Sequence, residues 1–192
     1  WPKTERSKNQ RLVTSDMRES PALWNMTSAA GKQSLVVGWL NTWPAEQING
    51  VMVAPYVALG KKKQTSIKGK IYQGAKNQTW PTNLRQEIAP LIRSAKSITP
   101  EEIAQIVDVP PIHSPLYRKV PKLERYLYTV RWSIASALTN TALVEAQLHE
   151  NPDSNLVMTY FDGTDTLAHR FWLMRQPVEE IKSRLKNQGF DP

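Results

Sequence analysis

Residues Leu156–Trp172, LVMTYFDGTDTLAHRFW, constrain the fold of this chain more than any other stretch. The run Leu156-Val157-Met158-Thr159-Tyr160-Phe161 has the length and the β-branched and aromatic content of a buried strand. Asp162-Gly163 is a turn signal. Thr164 then suits an N-cap position, so the helix that follows carries Asp165 and His169 one turn apart on one face. A carboxylate and an imidazole are thereby expected past the carboxyl end of a strand, where open α/β sheets bind their ligands. Both side chains suit a borderline divalent metal such as zinc, although a tetrahedral site needs at least one further protein ligand. Two readings stay open on spacing alone. One is a capping aspartate with a histidine packed under the strand. The other is a ligand pair in a dry surround of Tyr160, Phe161, Phe171 and Trp172.

The strand-turn-helix unit needs a sheet to belong to. Ser34–Leu40, SLVVGWL, has no polar alternation, as expected for a parallel strand covered on both faces. Before it, Ser20–Gly31 reads as a short helix with Ser20 as cap, Pro21 in the first turn and Gly31 as stop. After it, Asn41-Thr42-Trp43-Pro44-Ala45-Glu46 reads as a tight exit into another short helix that Pro44 begins. Asn49-Gly50 turns the chain and Val51–Val53 forms a short strand. Further on, Ile88–Ser94 has a helical pattern, and Thr99-Pro100-Glu101-Glu102 is a capping box that opens a helix through Val107. Pro110, Pro111 and Pro115 mark a connector. Lys122–Leu148 is the longest helical pattern, with Leu123, Leu127, Val130, Ile134, Leu138, Ala142 and Leu143 on one stripe, and Pro152-Asp153 ends it. Val178–Leu185 begins a last helix.

Helices alternating with apolar strands point to an α/β sandwich around a mostly parallel sheet. A chain of 192 residues, 40% hydrophobic, suffices for a sizeable core. Yet two or three strands leave unsatisfied sheet edges. With Trp1 in first place, the chain is expected to be the central part of one larger domain, 1–192, with a polar arm over 1–18.

Composition narrows the partners. The net charge of +8 suits polyanions, but the basic residues are spread along the chain. The one dense cluster, Lys61-Lys62-Lys63 with Lys68 and Lys70, falls in a polar stretch and reads as a basic variable loop over 55–75. A basic non-catalytic module binding nucleic acid or another anion through that loop is the alternative function; nucleic acid is not the expected partner. The absence of cysteine excludes disulfides and thiolate metal sites. No apolar run approaches the length of a membrane span.

Other chemistry-bearing residues have quieter readings. His113 among prolines and His149 at the end of the long helix lack acidic or histidine neighbours at ligand spacing and read as surface residues. The seven tryptophans are scattered, and Trp24, Trp43 and Trp132 lie in apolar contexts that favour packing. Asn25-Met26-Thr27 and Asn77-Gln78-Thr79 match the glycosylation acceptor pattern, a short motif often met by chance. No glycine-rich phosphate loop or serine-centred nucleophile elbow occurs. Thr42 to Glu46 has two readings: a helix start anchored by Trp43, or a loop lining a pocket past the carboxyl end of a buried strand.

Two blocks in order, SLVVGWLNTWPAEQINGVMVA (Ser34–Ala54) and LVMTYFDGTDTLAHRFW, resemble the bacterial type I phosphodiesterase/nucleotide pyrophosphatase family of the alkaline phosphatase superfamily. The opening VTSDMRESPALWNMTSAAGK (Val13–Lys32) is similar to that family's approach to its first strand. The resemblance covers most of the chain, strongly in the two blocks and loosely between them. It implies an alkaline-phosphatase-like α/β sandwich, partly represented here, in an intact protein that hydrolyses phosphoric esters of the phosphodiester or nucleotide-like kind. It also implies two divalent metal ions in the intact enzyme, zinc being expected and manganese the alternative. Asp165 and His169 match two of the three protein ligands of one metal; Thr42, Trp43 and Glu46 would border the substrate pocket. The remaining ligands and the threonine or serine nucleophile would belong to the rest of the parent polypeptide. On that expectation this chain, isolated, holds metal weakly and catalyses nothing.

Overall fold

The centre of the fold is β1 (Ser34–Val37), whose four residues are all buried. It pairs in parallel with β2 (Gly50–Val53), Ser34 against Gly50 through Val37 against Val53, and on its other side with β4 (Leu156–Thr159), Ser34 against Leu156 through Val37 against Thr159. The two-residue β3 (Thr79–Trp80) runs antiparallel to β2, which gives the order β3-β2-β1-β4. The fold is therefore mixed α/β with a four-stranded, mostly parallel sheet. The computed structural model describes residues 13–55, 71, 76–106 and 123–187. The Lys61–Lys70 cluster, His113, the proline connector and the first twelve residues lie outside that set.

Among the described residues the α-helices are α1 (Leu23–Ala29), α2 (Leu84–Ile88), α3 (Pro100–Ala104), α4 (Leu123–Glu150), α5 (Gly163–Phe171) and α6 (Val178–Asn187). The chain divides into two compact units, 1–92 with 139–160 and 93–138 with 161–192. In the first unit both faces of the sheet are covered, which explains the absence of polar alternation in β1. Leu35, Val37, Val51 and Val53 pack with Leu84, Ile88 and Leu143 on one face. Val36 and Met52 pack with Trp24 and Ile48 on the other. The second unit has its own core of Ile98, Ile103, Val130, Ile134 and Ala135, against which Leu167 and Phe171 pack. No helix among the described residues is long and apolar enough to cross a membrane.

Several expectations stand as read. Gly31 stops α1 with φ +71, whereas the strand expected over Ser34–Leu40 ends at Val37, where Gly38 turns to φ +68. The Thr99 hydroxyl accepts from the Glu102 N–H at 3.3 Å while Glu102 accepts from the Thr99 N–H at 2.8 Å, closing the capping box. Others need correction. Ser20 does not cap α1: the Ala22 N–H donates instead to Asn25 Oδ1 at 2.8 Å, and Ala22 holds the N-cap position. The helix expected at Ile88–Ser94 lies earlier, at Leu84–Ile88, and tightens into a 3₁₀ turn over Ala89–Leu91 around Pro90. β4 is an edge strand rather than a buried one, with Val157 42% exposed.

Candidate functional site

In the first unit the chain leaves β1 through Gly38 and Trp39, whose ring meets Tyr160 edge-on at 6.2 Å. Thr42 is fully buried, and its hydroxyl donates to the Trp39 carbonyl at 2.7 Å, closing a tight turn. The helix expected from Pro44 does not form. The backbone groups such a helix would use are taken by other segments: the Trp43 and Pro44 carbonyls accept from the Ser15 N–H and hydroxyl at 2.9 and 2.6 Å, and the Ala45 N–H donates to Asn77. Trp43, half-buried, donates its indole N–H to the Lys76 carbonyl at 2.9 Å.

Glu46 is the electrostatic centre of this segment. Arg18 Nη2 donates to it at 2.6 Å, Asn25 Nδ2 at 3.0 Å and Trp24 Nε1 at 3.3 Å. The Arg18 guanidinium also lies 5.2 Å over the Trp24 ring. Burial alone would raise the carboxyl pKa, but the hydrogen bonds from Arg18 and Asn25, the Arg18 charge and the Trp24 N–H outweigh it and hold Glu46 below its ordinary 4.5. Glu46 is thus a fixed, satisfied carboxylate.

In the second unit α5 begins at Gly163, one residue before the expected Thr164 cap. Asp162 is the N-cap residue; its carbonyl accepts from the Thr166 N–H at 2.9 Å, while its carboxylate accepts from Ser136 Oγ at 3.3 Å instead of capping. Asp165 and His169 do share one face: Oδ1 and Nε2 lie 3.3 Å apart, with the side chains 67% and 78% exposed. Two ligands bonded at about 2.0–2.1 Å to a tetrahedral zinc stand about 3.3–3.4 Å apart, so this separation fits one edge of such a site. The same distance also describes an ordinary i,i+4 ion pair on a solvated helix. The aromatic residues do not enclose the pair. Phe171 turns to the core beside Tyr126, Trp172 is 58% exposed under the Arg175 guanidinium, and Phe161 is 42% exposed. Among the described residues no group of three or more histidines, cysteines, aspartates or glutamates could hold a metal ion.

Three features escaped the sequence. Arg18, Trp24 and Asn25 converge on Glu46, yet nothing local links them to it. Asn140, on α4 but outside the apolar stripe read from the sequence, is buried; its Nδ2 donates to the Tyr160 carbonyl at 2.9 Å and lies 2.7 Å from where a side chain at Gly38 would begin. An amide among Leu138, Ala142 and Leu143 was the available signal. The hydroxyls of Ser133 and Thr159 are buried without a hydrogen-bond partner among the described residues. Comparison with protein-family models, curated proteins and solved structures finds no match to this chain.

Proposed function

We propose that this chain is part of a metal-dependent phosphoric-ester hydrolase of the phosphodiesterase/nucleotide pyrophosphatase type, built on an alkaline-phosphatase-like sandwich. The observation that carries the reading is the 3.3 Å approach of Asp165 and His169 on the helix that follows β4, inside the segment on which the resemblance rests. Asp165 Oδ1 and His169 Nε2 would hold one divalent ion, zinc or manganese; residues of the intact protein beyond this chain would supply the other ligands and the nucleophile. The bound ions would supply Lewis-acid activation of a phosphoryl oxygen and of water. The contribution of this chain is orientation. Helix α5 holds the carboxylate and imidazole at ligand spacing, and Leu167 and Phe171 on the opposite side anchor that helix to the core.

Zinc titration of this chain, followed by nuclear magnetic resonance of the His169 ring, is expected to show weak, saturable shifts that Asp165→Ala removes. In the intact protein the same substitution is expected to abolish hydrolysis of a bis-aryl phosphodiester. Undiminished turnover there would remove the metal assignment.

A further inference from the structure

A hollow of about 410 Å³ lies wholly within the first unit, lined by the residues that follow β1 and by Met158 of β4. β2 lies on one side of β1 and β4 on the other, so the strand order reverses at β1. Open α/β sheets hold ligands past the carboxyl ends of strands at such a reversal. The volume falls in the range of small-molecule sites. Leu23, Trp24, Trp39, Leu40 and Met158 wall the hollow with apolar and aromatic surface. Leu23 and Leu40 are nonetheless exposed. One exposed leucine is ordinary, but two beside a pair of indole rings in one concavity form an apolar patch.

The chemistry of an occupant follows from Arg18, the one charged residue in the lining. Its guanidinium is held from several sides. Nε donates to the Ser20 carbonyl at 3.0 Å, and Nη2 donates to Asn25 Oδ1 at 3.0 Å and to Glu46 at 2.6 Å. The group also lies over the Trp24 ring. Nη1 donates to no acceptor among the described residues. A guanidinium fixed in this way loses little further freedom when its last nitrogen takes a partner. No lining residue is acidic, and Glu46 meets Arg18 from outside the lining. The charge in the hollow therefore complements an anionic oxygen, and its walls complement an apolar body.

We propose that this hollow binds a small free carboxylic acid with an aryl or alkyl body, taken up as its carboxylate. The carboxylate accepts from Arg18 Nη1, and the body covers Trp24, Trp39, Leu40 and Met158. Arg18 already shares its charge with Glu46, so the body supplies most of the affinity and the carboxylate supplies the selectivity. The proposal does not depend on whether Asp165 and His169 bind metal, because no residue is shared between the two.

Titration of the chain with phenylpropionate, its primary amide and acetate, followed by nuclear magnetic resonance of the tryptophan indole N–H signals, tests it. Phenylpropionate is expected to shift the Trp24 and Trp39 signals saturably. The amide is expected to bind about three- to fivefold more weakly, and acetate not at all. Leu40→Asp is expected to abolish phenylpropionate binding by placing a like charge in the hollow. Leu40→Lys is expected to tighten it about three- to fivefold and to leave the amide unchanged. Both substitutions change an exposed side chain and keep the Arg18–Glu46 pair. Should Leu40→Asp fail to fold, Leu40→Lys and the comparison with the amide decide alone. Absence of saturable binding, equal binding of the amide or of acetate, or no gain in Leu40→Lys would each overturn the proposal.

Discussion

Arg18 and Glu46, 28 positions apart in sequence, meet at 2.6 Å and tie the segment before α1 to the extended stretch that follows β1. Trp24 and Asn25 on α1 complete the ring of donors, so one carboxylate joins three pieces of chain. The Glu46 backbone N–H, at 3.3 Å, points to the Met52 sulfur on β2, which places the stretch against the sheet.

This arrangement predicts an acid-dependent loss of stability. Glu46 is held below its ordinary 4.5, so its carboxylate stabilises the fold fully above that pH and stops doing so as the pH falls through the lower folded value. Glu46→Gln is expected to cost about 1 kcal/mol near neutral pH, the lower part of the range for a charge-assisted bond because the pair is partly solvated. The urea midpoints of the two proteins are expected to converge on acidification below 4.5. A gap that stays constant with pH would rule out the electrostatic account.

What the sequence made legible was local. Gly31, the Thr99–Glu102 box and the first four residues of the unalternated run Ser34–Leu40 each declare themselves within a few residues, because caps, stops and burial on two faces leave short-range patterns. The face shared by Asp165 and His169 follows from helical period in the same way. The rest depended on partners distant in sequence. Pro44 looked like a helix start until the Ser15 and Asn77 backbones claimed the groups a helix needs. Leu156–Thr159 reads as buried because its residues are apolar, whereas its place at the end of the strand order, which no local pattern encodes, leaves Val157 in solvent.

The Gly38–Asn140 approach predicts a coupled pair. Gly38→Ala must tolerate φ +68 and a Cβ placed 2.7 Å from Asn140 Nδ2, and is expected to cost upwards of about 2 kcal/mol. Asn140→Ala loses a buried hydrogen bond to the Tyr160 carbonyl and is expected to cost about 1–3 kcal/mol. In the double variant the clash is gone, so its cost is expected to be less than the sum of the two. Strict additivity in denaturant unfolding would show that the two residues do not constrain each other.

Gly50 offers no such relief. At φ +125 it opens β2, and a Cβ there would collide with the Ser34 backbone, 2.8 Å from its nitrogen and nearer still to its carbonyl oxygen. Backbone cannot rotate aside, and this contact belongs to the central β1–β2 ladder. Gly50→Ala is expected to give insoluble or unfolded protein, checked by circular dichroism of the soluble fraction. A variant that melts within a few degrees of the parent would contradict the close packing at Ser34.

The Asp165–His169 pair predicts a separation of stability from activity. Both side chains are mostly in solvent, and an exposed i,i+4 pair contributes at most a few tenths of a kcal/mol. Asp165→Ala and His169→Ala are therefore each expected to change the unfolding free energy of the metal-free chain by less than about 0.5 kcal/mol. A pair kept for the fold would show the reverse pattern: measurable destabilisation with zinc affinity and phosphodiester turnover untouched. If the pair holds metal, each variant unfolds like the parent without zinc and loses the stabilisation that added zinc gives the parent, since a ligand that binds only the folded state raises its stability by mass action. Melting curves of the parent and both variants, with zinc and with a chelator, read out both effects together.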